Sequence, residues 1–460
     1  MNNDILIIGL EKTGKSLIEF LQKNSHYGKI YIFDDSQEKS SECVNKYSNI
    51  EIINDPNDFH NNNIDLAICS PGFRTKYNPH WVVKLCQEKD IKIVSDVTFI
   101  LDFYNYKNVI AITGSNGKST TSSLVDFILN NNKVDSDLLG NIGKPISLLD
   151  KEKSFVVVET SSAMLEISPF LASISAITNI ESHHTDYHGD FLNYVLSKLN
   201  IIDYSEKTLI NYDDLLKNQQ KNPEIYSLIK NKINNNSEKI KYFSTEKILE
   251  LGYSLVNNLF YINNIPIYNL NEVIKKSKLI GKHNISNICV AIAAVIELKI
   301  CDQINLDCLI EFNPLPHRLE LVMEFNSIKI INDSKSTNII AGISALNSLD
   351  GKIVIICGGK LSNYSEITPL LNYSEKIEHI FLISDTSSKF SEELDLSNFK
   401  KYSKQNNLKN CLIEIKKMIL KQKIDYLLFS PITSSLNEYS NFEHRGEVFT
   451  SMCKEIFTIN

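Results

Sequence analysis

VIAITGSNGKST, residues 109–120, sets the fold class of the region around it. The apolar and β-branched run 109–113 predicts a buried strand, Gly114 and Gly117 interrupt it, and 118–130 carries a helical pattern. A strand that passes through a glycine turn straight into a helix aims successive backbone N–H groups and the positive helix end at one point, which suits phosphate oxygens. There Lys118 can neutralise terminal phosphates and Ser119 can hold Mg²⁺. The spacing departs from GxxxxGK[ST], because Ile112 stands where the first glycine is expected. ATP binding is the sharpest expectation from spacing alone.

A length of 460 residues suggests about three domains. Hydrophobic residues at 43% and charged residues at 22% describe a globular chain and exclude a fibre or a disordered tail. A net charge of -7 repels nucleic acid as a general partner. The longest apolar run, 288–296, is far below the ~20 residues that cross a bilayer, so no membrane span is expected. The opening residues lack the basic start and cleavage site of a signal peptide, which points to the cytoplasm. Nine cysteines are scattered without a CxxC pair and read as reduced, mostly buried small side chains.

Before the quoted stretch, apolar runs at 5–10, 30–33, 66–69 and 91–94 alternate with helical patterns such as 16–23, which predicts parallel βαβ units. After it, strands are expected at 155–159 and 174–179, with helices at 191–203 and 285–299. Residues 211–280, rich in Asn and Lys, read as irregular connections around short strands such as 259–262. Asn313-Pro-Leu-Pro316 supplies stiff extended backbone suited to a joint, and strands at 353–357, 379–383 and 426–429 follow it. The expected class is α/β with three domains: a Rossmann-like domain over 1–103, a central P-loop-type ATPase domain with a parallel sheet over 104–311, and a Rossmann-like domain over 312–460.

Several residues carry candidate chemistry. Glu159 ends a predicted strand, and the acidic and histidine-rich run 181–188 follows another, so both belong at the sheet edge where ligands collect. The histidines read equally as surface residues. Lys198 is the one charged residue in 191–202, beside an apolar stripe, where a lysine either snorkels to water or is functional. Gly9-Leu-Glu-Lys-Thr-Gly14 has the frame of a dinucleotide loop, but Glu11 replaces its central glycine. Asp34 and Asp35 end the next strand where an acid can meet a ribose or base, or simply close an ordinary turn.

TGSNGKST (113–120), GNIGKP (140–145), ETSSAMLE (159–166), NIESHHTDYHG (179–189), GKHNISN (281–287), PHRLE (316–320) and NDSKSTN (332–338) occur in order. Together they resemble the Mur ligase family, ATP-dependent amide-forming enzymes of peptidoglycan precursor synthesis built from three α/β domains. Within it, SPG (70–72), NDSKSTN and SPITSSLNEYSNFEHRG (430–446) resemble the members that add D-glutamate to UDP-N-acetylmuramoyl-L-alanine. A folylpolyglutamate-synthase-like or other Mur ligase, and a nucleotide-binding module without catalysis, are the competing readings.

The resemblance implies residue roles. ATP is assigned to Gly114, Ser115, Asn116, Gly117, Lys118, Ser119, Thr120, Asn284, Asn287, Arg318 and Asp333, with Lys335 near the phosphates. Mg²⁺ falls to Ser119 and Glu159, and at a second position to His184 and a Lys198 carbamylated by CO₂. The sugar nucleotide is assigned to Asp34, Asp35, Ser70, Gly72, Asn141 and Ser161; D-glutamate to Thr337, Lys360, Ser435, Leu436 and Phe442. A monomer is expected. The chain departs from the family pattern at Glu11, at Ala163 and Met164, and in a shortened segment around Lys360 that carries Asn363 in place of an acid.

Overall fold

A computed structural model describes residues 3–24, 27–181, 185–279, 281–300, 303–360, 366–435 and 438–458. The chain forms two compact units, Met1–Val273 with Ile285–Leu309, and Ile274–Asn284 with Ile310–Asn460.

The first unit carries two sheets. β1 (Ile5–Ile8), β2 (Ile30–Phe33), β3 (Ile50–Ile52), β4 (Leu66–Cys69) and β5 (Lys92–Val94) pair in the order β3-β2-β1-β4-β5, all parallel. This is the strand order of the Rossmann type. Every residue of β1 and β2 is buried, which is why both read as unbroken apolar runs rather than alternating ones.

The second sheet contains β6 (Val109–Thr113), β7 (Ser136–Gly140), β8 (Phe155–Glu159), β9 (Ala172–Ile177), β10 (Ser205–Asn211), β11 (Ile240–Ser244), β12 (Tyr253–Val256), β13 (Leu259–Ile262) and β14 (Ile265–Asn269). Its order is β14-β13-β12-β11-β10-β9-β6-β8-β7, parallel from β7 to β12 and antiparallel across β12, β13 and β14. β6 therefore lies between β9 and β8, and the turns after all three open on one edge. One apolar cluster joins both sheets, running from Ile5, Leu17, Phe20 and Phe99 to Val109, Val156, Leu199 and Ile202.

Residues 211–280 are more regular than expected. Helices Tyr212–Lys221 and Pro223–Asn234 precede β11 to β14. Ile225, Ile229 and Ile233 recur every four residues and form the buried stripe of the second helix, a period hidden by the intervening Asn and Lys. Asn257-Asn258 and Asn263-Asn264, all at positive φ, make the tight links of β12 to β13 and β13 to β14. β14 is an edge strand with Pro266 inside it.

The second unit carries β15 (Glu320–Phe325), β16 (Ile328–Asn332), β17 (Ile353–Cys357), β18 (Ile377–Leu382), β19 (Tyr402–Lys404) and β20 (Tyr426–Phe429), in the order β15-β16-β20-β17-β18-β19. Only β15 and β16 pair antiparallel. Alternate strand residues feed two cores: Val354, Ile356, Leu427 and Phe429 on one face, Ile353, Ile355, Cys357 and Leu428 on the other.

The described cysteines are all free thiols, and all but Cys308 are buried. No described helix is long and apolar enough to cross a membrane.

A Cβ on Gly14 would sit 2.0 Å from the Gly9 carbonyl oxygen, a backbone atom that cannot move aside alone. Gly14→Ala should therefore cost about 1–3 kcal/mol, read as a lower midpoint in thermal denaturation. Asp214 accepts the Ile180 N–H at 2.8 Å, and burial, partly offset by that bond, pushes its carboxyl up to about 7. Its folded value lies above its unfolded value, so the wild type loses stability as pH rises from about 4 to about 7. Asp214→Asn keeps an acceptor and removes the charge. Its stability relative to wild type should grow across that window by up to ~4 kcal/mol and then level off; a difference constant from pH 4 to 8 would refute the assignment.

Candidate active site

Thr113 is the last residue of β6 and Lys118 the first of the helix Lys118–Asn131, with Gly117 as N-cap at φ +81°. A side chain there would be strained, and its Cβ would lie 2.4 Å from Asn287 Oδ1. Asn287, on the helix Lys282–Glu297, also accepts the Thr121 hydroxyl at 3.2 Å, so it packs directly under the loop.

The segment after β9 clamps the loop. Ser115 N–H donates to Asn179 O and Asn116 N–H to Asn179 Oδ1, both at 2.9 Å. Asn116 Nδ2 reaches Glu181 Oε2 at 2.9 Å, and Ser115 Oγ lies 2.8 Å from Tyr194 OH. These bonds fix the orientation of the loop amides before any ligand arrives.

Two lysines converge on the loop. Lys118 Nζ donates to Gly114 O at 2.8 Å and Ser115 O at 2.9 Å. Lys198, on the helix Phe191–Asp203, donates to the same Gly114 oxygen at 2.8 Å and lies 4.6 Å from the centre of the Tyr194 ring. Its side chain does not snorkel: Lys198 is 1% exposed. Burial holds its ammonium well below the ordinary lysine value, the Lys118 charge adds to that, and Glu159 partly opposes it.

Glu159 ends β8 at 2% exposure. Its Oε1 accepts Asn141 Nδ2 at 2.8 Å, while Oε2 is buried with no hydrogen-bond partner. An orphaned carboxylate oxygen beside a phosphate loop fits a hard cation, and the buried Ser119 hydroxyl adds a second oxygen. Among the described residues no group of three His, Cys, Asp or Glu forms a cluster able to hold a metal by itself. His184 and Leu436 lie outside the described residues.

Within the first unit a cavity of about 330 Å³ is lined by Lys12 and Thr13 from the helix after β1, Ser70, Pro71 and Gly72 after β4, Asn141 after β7, and Asp96 and Met164. It unites the predicted Ser70, Gly72 and Asn141. Ser161 caps the adjoining helix Ser162–Ile167, accepting Met164 N–H at 3.1 Å. Asp34 and Asp35 are not among the lining residues. Asp34 accepts the N–H groups of Leu10 and Ser36 at 2.7 and 2.9 Å, and Asp35 lies 3.1 Å from His80 Nε2. Glu11 turns outward to pair with Lys39.

The second unit gathers its predicted residues at strand ends. Asp333, after β16, accepts Leu319 N–H at 3.2 Å and Ser430 Oγ–H at 3.1 Å, and burial pushes it up to about 7. The Lys335 ammonium sits 4.7 Å from the centre of the Phe442 ring. Lys360 and Ser435 line one small cavity with Gly358, Gly359, Tyr439 and Arg445. Arg445 is 1% exposed and donates to Ser334 O at 2.7 Å and Thr433 O at 3.0 Å. Burial brings its guanidinium down to about 10. Arg318 and Thr337 belong to the same unit, and Asn284 is buried.

The sequence did not single out Asn179, Tyr194 or Arg445, and it placed Glu181 in the run at the sheet edge without naming its partner. Tyr194 was within reach, since it precedes Lys198 by one helical turn on the same face. Asn179 and Glu181 meet Asn116 across 63 and 65 residues of chain, a pairing that no local spacing reveals.

Residues 112–295 match the family model for the Mur ligase middle domain. A UDP-N-acetylmuramoylalanine–D-glutamate ligase of Rickettsia bellii is 31% identical over 97% of this chain and 96% of its own length. One from Caldicellulosiruptor bescii is 29% identical over 99% and 98%. Among solved structures, a UDP-N-acetylmuramate-alanine ligase of Thermotoga maritima superposes with a TM-score of 0.57 at 17% identity, over 98% of this chain and 99% of that one. With phosphate loop, paired lysines and orphaned carboxylate on one sheet edge, and with relatives matched end to end, the chain belongs to the Mur ligase family.

Proposed function

We propose that this enzyme is an ATP-dependent amide ligase that adds D-glutamate to UDP-N-acetylmuramoyl-L-alanine through an acyl phosphate, in the cytoplasmic synthesis of peptidoglycan precursors. One observation carries the reading: Lys118 and Lys198 both donate to Gly114 O at the mouth of a phosphate loop, near a Glu159 oxygen with no partner. Two cations brought together at such a loop form a site for a concentrated negative charge.

A carboxylate acylates poorly, so its oxygen must first attack the γ-phosphorus of ATP, with ADP leaving. That step brings two anions together. The loop amides and Lys118 are held in advance to offset the repulsion and the charge that spreads over the moving phosphoryl group. The amine of D-glutamate then attacks the acyl carbon, loses a proton, and phosphate departs. Magnesium held by Ser119 and Glu159 would supply further charge neutralisation at the phosphates. Lys198 is suited to carbamylation, because burial lowers its proton affinity and so favours the neutral amine that reacts with CO₂. Ser70, Gly72 and Asn141 would receive the sugar nucleotide in the first-unit cavity, with Lys12 near its diphosphate. Thr337, Lys360, Ser435, Leu436 and Phe442 would receive D-glutamate.

The decisive assay is phosphate release from ATP with UDP-N-acetylmuramoyl-L-alanine and a panel of amino acids. Release should depend on D-glutamate; dependence on L-alanine or a diamino acid instead would reject the reading. Lys198→Met removes a buried ammonium, so its thermal midpoint should equal or exceed that of wild type while turnover falls at least about 100-fold. Lys198→Ala should recover part of its activity with added short carboxylic acids that take the place of the carbamate. Full activity in either variant would exclude the role.

A further inference from the structure

A second polar cluster in the first unit lies apart from the phosphate loop and takes no part in the chemistry above. Glu166 and Ser162 come from the helix Ser162–Ile167, His188 from the short helix Thr185–His188, Ser197 from the helix Phe191–Asp203, and Thr75 from the turn after β4. All five are buried, His188 to 1% exposure. His188 Nδ1 lies 2.7 Å from Glu166 Oε2, and Nε2 lies 3.0 Å from Ser162 Oγ. Ser197 Oγ donates to the same Glu166 oxygen at 3.3 Å. The other oxygen, Oε1, accepts the Thr75 hydroxyl at 3.2 Å. Burial acts to raise the Glu166 carboxyl, but its hydrogen bonds with His188 and Thr75, together with the surrounding electrostatics, hold it below its ordinary value.

Two partners of this carboxylate and its own helix lead to three places. Thr75 is three residues beyond Gly72, in the turn whose Ser70, Pro71 and Gly72 line the 330 Å³ cavity. Glu166 stands two residues from Met164, which lines the same cavity. Ser197 is the neighbour of Lys198. The same turn is tied again where Tyr187 OH donates to Phe73 O at 2.8 Å. An apolar contact here would allow the turn to slide, whereas a buried carboxylate with both oxygens engaged allows one register.

We propose that Glu166, oriented by His188, is a positioning residue that holds the cavity wall after β4 in register with the helix bearing Lys198, so that a sugar nucleotide in the cavity presents its terminal carboxylate at the reacting distance. The inference rests on the ligase reading. Its energetic basis is that a cavity wall no longer held in register meets this one substrate less well, so the cost falls on its apparent affinity and spares that of ATP and D-glutamate.

Thr75→Val removes the hydroxyl with little change of shape, and Thr75→Ser keeps it. Steady-state kinetics on the full chain, varying each substrate separately, should give a KM for UDP-N-acetylmuramoyl-L-alanine raised about tenfold in Thr75→Val, matching one lost buried hydrogen bond. The KM values for ATP and D-glutamate should stay within about twofold, and Thr75→Ser should return the first to near wild type. Glu166→Gln should show the same selective change, with Ser197→Ala as the milder variant should it not fold. An equal change in all three KM values, or a lower thermal midpoint with wild-type kinetics, would mean a purely structural role and overturn the proposal. Wild-type enzyme that releases no phosphate with this sugar nucleotide would refute the ligase reading itself, a result distinct from active wild type with unaffected variants.

Discussion

Two ammonium groups bound to one carbonyl oxygen repel each other, and a loop that brings them together must be held in place by something else. Here the hold comes from the neighbouring strand end: Asn179 and Glu181 grip Ser115 and Asn116, and Asn287 packs below Gly117. The helix Phe191–Asp203 brings Lys198 in from the side with Tyr194 alongside it, and the aromatic face offsets part of the cost of a dry cation. β6, between β9 and β8, is what makes this possible, because three consecutive turns then share one edge. The geometry is poised to receive negative charge rather than to rest without it.

Much of this was legible in the sequence because it is local. β6 and the helix after it are recognisable from an apolar run, two glycines and a helical period. Glu159 follows from its place at the end of an apolar run, and Lys198 from being the lone charge on its stripe. What was not legible depends on residues distant in the chain. Thr75 and Glu166 are 91 residues apart, and Arg445 meets Ser334 across 111. Asp34 was readable as a strand-end acid, but only the folded turn shows both of its oxygens taken by backbone N–H groups.

The misread region is equally informative. An Asn-rich stretch resembles a loop by composition, yet asparagine tolerates the left-handed backbone that a two-residue hairpin link requires, and here it occupies both positions of two such links. The isoleucines at every fourth position were the stronger signal, because burial responds to period rather than to average polarity. Arg445 makes a parallel point in the second unit: a guanidinium without solvent is tolerated where carbonyl and hydroxyl oxygens fill its donors, and it thereby fixes the turns after β16 and β20.

Pro266 has a consequence at the opposite rim of the wide sheet. β14 exposes Ile265 at 59% and Ile267 at 47%, an apolar border strand of the kind that invites another molecule to add a strand of its own. A proline between them lacks the N–H that such an added strand would need, so the ladder cannot be extended past it in register. The hairpin edge is thereby guarded against fibril-like stacking of one molecule on the next, even though its side chains alone would favour it.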